Sequence, residues 1–102
     1  MIQKRFFRST DAVELTFVLA RDDVHHAAVV MDALGWTPLP MRRAPDGSGP
    51  LRAKVRVPAG PDVEFRYLVD GERWENEPDA DEQRPNHIDG DNSVLRTTRP
   101  DR

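Results

Sequence analysis

The tightest constraint on this chain is strict two-residue alternation, repeated in separate segments. Val13, Leu15, Phe17 and Leu19 alternate with Glu14 and Thr16; Leu51, Ala53, Val55 and Val57 alternate with Arg52, Lys54 and Arg56; Val63, Phe65, Tyr67 and Val69 alternate with Glu64 and Arg66. Successive side chains of a strand point to opposite faces, so each segment presents one apolar and one wet face. Segments of this kind predict antiparallel sheet with a solvated side.

Between them, residues 2–7, Ala27–Met31 and residues 93–98 are candidate strands. Turn signals punctuate the chain: Gly35, Pro38, Pro40, the run Pro45-Asp46-Gly47-Ser48-Gly49-Pro50, then Pro58-Ala59-Gly60-Pro61 and Asp70-Gly71. Short strands at such spacing predict an all-β sandwich. Residues 22–34 are short and rich in β-branched side chains and are not read as a helix. Residues 74–92 lack periodicity and read as one long loop, a feature that in compact domains is usually functional or disordered. Residues 99–102 are expected to fray.

A chain of 102 residues fits one domain, here 1–102, with its core over about residues 13–97. A formal charge of −3 argues against nucleic acid or an anionic membrane as partner, although Lys4-Arg5 and Arg42-Arg43 are locally basic. With no cysteine there is neither a disulfide framework nor a thiolate metal site, and a reducing compartment is compatible. No apolar run reaches membrane-spanning length and residues 1–8 lack the apolar core of a signal peptide, so a soluble, cytoplasmic protein is expected.

Chemistry-bearing clusters are sparse. His25 and His26 are adjacent and would face opposite ways on a strand, so no shared metal ion is expected. Asp79, Asp81 and Glu82, and separately Asp89 and Asp91, match no complete calcium loop and read as solvated acids. Ser9, Ser48 and Ser93 have no nucleophile setting, and no carboxylate pair stands out as acid and base. The expectation is a protein without enzymatic activity, cofactor or metal. What remains is a pair of tryptophans placed at turns: Trp36 after Gly35, and Trp74 after Asp70-Gly71-Glu72-Arg73. Indoles displayed there suit the apolar face of a sugar ring, whose hydroxyl rim needs separate donors and acceptors.

Three pieces in order carry a family likeness: Met31-Asp32-Ala33-Leu34-Gly35-Trp36, Phe65-Arg66-Tyr67-Leu68-Val69-Asp70-Gly71-Glu72-Arg73-Trp74, and Pro85-Asn86-His87-Ile88-Asp89-Gly90-Asp91-Asn92-Ser93-Val94-Leu95. Together they resemble the isoamylase early-set domain, also called carbohydrate-binding module family 48, which includes the glycogen-binding domain of the AMP-activated protein kinase beta subunit. The resemblance implies an immunoglobulin-like β-sandwich of about seven to eight antiparallel strands. It also implies non-catalytic binding of α-1,4-glucan such as glycogen or maltodextrin. Carried over by position, Trp36 and Trp74 would stack on glucose rings, Arg66 and Asn92 would bond hydroxyls, and Ile88 would touch the glucan. The first piece departs from the Gly-Asp-Phe-Asn-Gly-Trp common in relatives, and Arg66 stands where lysine is usual.

Each residue has an ordinary alternative. Trp74 would fold over the end of the core, Arg66 would pair with Glu64 or Glu75, Asn92 would bond its own backbone in a turn, and Ile88 would be core. For the whole chain the alternative is a degenerate early-set domain serving as a protein-interaction or regulatory module, with a glycogen-metabolising enzyme as one conceivable partner.

Overall fold

The computed structural model describes residues 1–99. Nine strands follow in order: β1 (Ile2–Phe6), β2 (Ala12–Leu19), β3 (Ala27–Met31), β4 (Leu39–Pro40), β5 (Leu51–Pro58), β6 (Val63–Val69), β7 (Arg73–Glu75), β8 (Glu82–Pro85) and β9 (Asp91–Leu95). All pairings are antiparallel. One sheet runs β1-β2-β5; the other runs β4-β3-β6-β9-β8, with β7 also paired to β6. Among the described residues there is no α-helix, only a 3₁₀ turn at Asp32–Leu34, and no helix is long and apolar enough to cross a membrane.

The alternation dictates how the sheets face each other. Val13, Leu15, Phe17 and Leu19 of β2, with Leu51, Ala53 and Val57 of β5, bury against Ala27, Val29 and Met31 of β3 and Val63, Phe65, Tyr67 and Val69 of β6. The result is a β-sandwich-like arrangement around one core. At its centre Phe17 crosses the gap to meet Phe65 and Tyr67 edge to face, with ring centroids 5.1 and 6.4 Å away; Phe65 and Tyr67 themselves stand 5.7 Å apart. Such edge-to-face contacts add attraction beyond the area they bury.

The segment expected to be one loop is more ordered than its sequence suggests. Residues 74–92 contain most of β7, all of β8 and the start of β9, which with the two-residue β4 takes the strand number past the seven or eight expected. The reason is that β8 has no apolar alternation to detect. Opposite the buried Ser93 it carries Gln83, itself exposed, whose side-chain N–H donates to the Glu77 carbonyl at 2.8 Å and whose side-chain carbonyl accepts the Ser93 hydroxyl at 3.2 Å. A strand held by polar pairing is invisible to a hydrophobicity pattern. The last strand also ends earlier than expected, at Leu95, and the first at Phe6.

The turn after β6 is fixed by local chemistry. Asp70 and Gly71 both adopt positive φ (53° and 70°), as a type I′ turn requires, and the Glu72 N–H donates to the Val69 carbonyl at 3.1 Å. One Asp70 carboxylate oxygen accepts the backbone N–H groups of His25 and His26, each at 2.9 Å, tying the turn to the segment before β3. These bonds, that from His26 foremost, hold the Asp70 carboxyl below its ordinary range. Asp70→Ala is therefore expected to lower the thermal midpoint, and Asp70→Asn to lower it less, because asparagine tolerates the left-handed backbone and keeps one acceptor. Circular dichroism melts check the order of the two.

Candidate functional site

The outward side chains of the six-stranded sheet follow from register. Glu64, Arg66 and Leu68 occupy the outward positions of β6; Val30 of β3 lies opposite Arg66, and Arg84 of β8 lies opposite Asn92 of β9. Around Arg66 the sheet carries a cavity of about 510 Å³ lined by Trp36, Glu64, Arg66, Ile88, Asp89 and Asn92, with Pro85, Asn86 and His87 completing the wall.

Trp36 is delivered by the turn that follows β3. The Gly35 N–H donates to the Asp32 carbonyl and the Trp36 N–H to the Met31 carbonyl, each at 2.9 Å. The Asp32 carboxylate accepts the Glu64 N–H at 3.1 Å and so fastens this turn to β6. Trp36 itself has φ 64°, a left-handed backbone that costs a bulky side chain about 1–2 kcal/mol. It leaves 48% of its surface exposed. Strained backbone beneath a displayed side chain is a recurrent feature of binding sites.

Trp74 comes from the other side of Arg66. Through the Asp70-Gly71 turn, β7 folds back on β6 so that Trp74 lies opposite Leu68. The Arg66 guanidinium sits over its ring, 4.8 Å from the centroid, and 47% of Trp74 remains exposed. Neither indole is folded into the core.

The hairpin between β8 and β9 forms the far wall, organised by Asn86. Its side-chain carbonyl accepts the N–H groups of Ile88 (2.8 Å) and Asp89 (2.9 Å), while its amide donates to Asp89 (2.8 Å) and to Asn92 (3.2 Å). The Asn86 N–H donates to the Gly90 carbonyl at 2.9 Å, and His87 and Gly90 take positive φ to close the tip. This Asx turn aims Asp89 at Arg66, whose Nη2 donates to both carboxylate oxygens at 3.1 and 3.2 Å. Donation from Asn86 and then from Arg66 holds the Asp89 carboxyl below its ordinary range. Ile88 is left at the tip, 91% exposed, so it is not core.

Asn92 lies within β9 and exposes only 6% of its surface. Rather than bonding its own backbone, its amide donates to Glu64 at 3.0 Å and its carbonyl accepts from Asn86. The second Glu64 oxygen accepts from Arg84 at 3.3 Å. Arg66 pairs with Asp89 and not with Glu64 or Glu75, because the hairpin tip reaches it first.

Trp36, Arg66, Ile88 and Asn92 thus line one cavity, and Trp74 adjoins it through Arg66. Reading the sequence alone misses Glu64, Asn86 and Asp89. Glu64 shares the outward parity of Arg66, and the Asn86-x-x-Asp89-Gly90 pattern is an Asx-turn signature, so both signals were present. Only one nitrogen of Arg66 is engaged among the described residues; Nη1 and Nε remain available as donors beside two carboxylates that can accept hydroxyls. Among the described residues no group of three or more histidine, aspartate or glutamate side chains could hold a metal ion. His25 and His26 precede β3 and bind through their backbone instead. No family model matches this chain, and no curated protein matches it.

Proposed function

We propose that the protein is an early-set, immunoglobulin-like carbohydrate-binding module that holds α-1,4-glucan on the outer face of its six-stranded sheet, without chemistry. The observation that carries this reading is the grouping of two half-exposed indoles around one partly free guanidinium. Trp36 comes from the turn after β3 and Trp74 from β7, the neighbours on either side of β6, and Arg66 lies on β6 between them. Each indole offers an apolar surface to the C–H face of a glucose ring. Arg66 donates to hydroxyls through Nη1 and Nε, and Glu64 and Asp89 accept. Asn92, largely buried, orients Glu64, and Ile88 packs against the glucan from the rim.

The absence of a reaction is part of the proposal. Asp89 is held ionised by its amide and guanidinium donors, and Glu64 is engaged by Asn92 and Arg84, so neither is placed to exchange a proton with a glycosidic oxygen.

Titration with maltoheptaose or β-cyclodextrin, followed by tryptophan fluorescence, tests the reading. A saturable change is expected, and Trp74→Ala should weaken binding at least about tenfold, as loss of an aromatic anchor does. A flat titration of the parent protein would sink the proposal.

A further inference from the structure

On the other sheet, β5 ends the order β1-β2-β5 and has an open edge. Arg42 caps only its beginning: the N–H of each of Arg42 and Arg52 donates to the other's carbonyl at 2.8 Å. This exchange shows that the Arg52 backbone points away from β2. By strand parity the N–H and C=O groups of Lys54 and Arg56 point the same way, and among the described residues no ladder continues there. The same residues put their side chains on the sheet's outer face, where their opposite neighbours on β2 are Val18, Thr16 and Glu14.

The edge is also basic. In a chain of formal charge −3, Arg21, Arg66, Arg73, Arg84 and Arg96 all have carboxylate partners. Arg42, Arg52, Lys54 and Arg56 have none among the described residues; Arg56 instead lies over the Phe7 ring, 4.1 Å from its centroid. A hollow of about 490 Å³ lined by Arg42, Ser48, Pro50 and Arg52 opens at the head of the edge.

We propose that the β5 edge receives an extended acidic peptide segment of a partner protein, added as an antiparallel strand beside Lys54 and Arg56. Alternate residues of a strand repeat at roughly 7 Å, so aspartate or glutamate at every second position of the added strand meets Lys54 and Arg56 in turn, with Arg42 and Arg52 flanking its end. The unpaired backbone groups favour a peptide over a nucleic acid or a lipid surface, since only a peptide backbone completes the ladder. Lysine on an edge also serves simply to repel other strands, and the experiment separates these roles.

The probe is an acetylated, amidated heptapeptide alternating threonine and glutamate, titrated while amide NMR spectra and hydrogen exchange are recorded. Expected is saturable binding that weakens with salt, with the Lys54 and Arg56 amides slowed about tenfold or more at saturation. Arg52→Glu with Lys54→Glu should weaken binding about tenfold or more. Both side chains are exposed, and the dispersion of the variant's amide spectrum reports its fold; Lys54→Gln, an uncharged exchange, should give an intermediate loss. The lysine counterpart should not bind, and N-methylation at alternate peptide positions should abolish binding. Overturning results are unchanged exchange at Lys54 and Arg56, equal binding by the N-methylated peptide, or tighter binding of oligodeoxythymidine or phosphatidylserine vesicles than of the peptide. Glucan titration is a separate measurement, because its site lies on the other sheet.

Discussion

Glu77→Ala is expected to destabilise the protein by about 3 kcal/mol or more, a large share of what a domain of this size possesses. Glu77 is 2% exposed yet carries a carboxylate. It accepts the Tyr67 hydroxyl at 2.5 Å, the Asp79 N–H at 3.0 Å and the amino group of Met1 at 3.1 Å, and its own N–H donates to the Ser93 hydroxyl at 2.9 Å. Removing the carboxylate strands the Tyr67 hydroxyl, itself buried at the core's edge, and opens a cavity beside it. Glu77→Gln keeps volume and one acceptor and should cost less; Tyr67→Phe, which removes the donor, should cost about 1–2 kcal/mol. Urea unfolding measures all three. A Glu77→Ala variant within about 0.5 kcal/mol of the parent would show that the carboxylate is dispensable.

The same group gives stability a direction in pH. Burial pushes the Glu77 carboxyl upward, but the Tyr67 hydroxyl, the Asp79 N–H and the amino terminus together outweigh it and bring the group below its ordinary range. Asp81, bonded by Lys4 and the Arg96 N–H, is likewise lowered despite its burial cost. A group whose folded pKa lies below its unfolded value stabilises fully above the unfolded value, and that contribution fades as pH falls through the folded one. Stability should therefore hold above about pH 5 and decline below about pH 4. Burial and hydrogen bonding to ionised Glu77 push Tyr67 the other way, upward.

Phe17→Ala is expected to cost about 3–5 kcal/mol. Phe17 is fully buried and is the one ring of the central cluster that comes from β2, so its loss severs the aromatic contact between the sheets. The neighbours lie on paired strands and have little freedom to collapse into the space. Phe17→Leu refills most of that volume and should recover much of the loss. For a domain of this length each kcal/mol lowers the melting temperature by about 4–8 °C, so calorimetry resolves the series readily.

What could be read beforehand follows the physics of the signals. Burial alternation marks β2, β5 and β6 because their inward positions are uniformly apolar. It fails for β8, which has no buried apolar residue and sets the exposed Gln83 opposite Ser93, and for β4, where Leu39 and Pro40 are too few to show a period. Asp70-Gly71 announces its turn because only residues tolerant of positive φ serve there, whereas Trp36 adopts the same backbone region without belonging to that class. Trp36 and Trp74 stand out in the sequence as indoles at turns, whereas Arg66, Ile88 and Asn92 follow only from the family resemblance, and separation along the chain does not reveal their grouping. It depends on register: Arg66 meets Asp89 because β6 pairs with β9 and the Asn86 turn bends back toward β6. Glu77 reads as one more acid in a polar stretch, and only the fold reveals that it is buried.

On the proposed reading, Trp36 and Trp74 hold one glucan together across Arg66. Nitrogen-15 NMR resolves both indole N–H groups and the Arg66 Nε–H, and one titration with maltoheptaose follows all of them. All three signals should shift saturably along a single binding curve, while the backbone amides of β5 stay in place. Indole signals that remain unmoved at saturating maltoheptaose, or that follow separate curves, would rule out a shared glucan site.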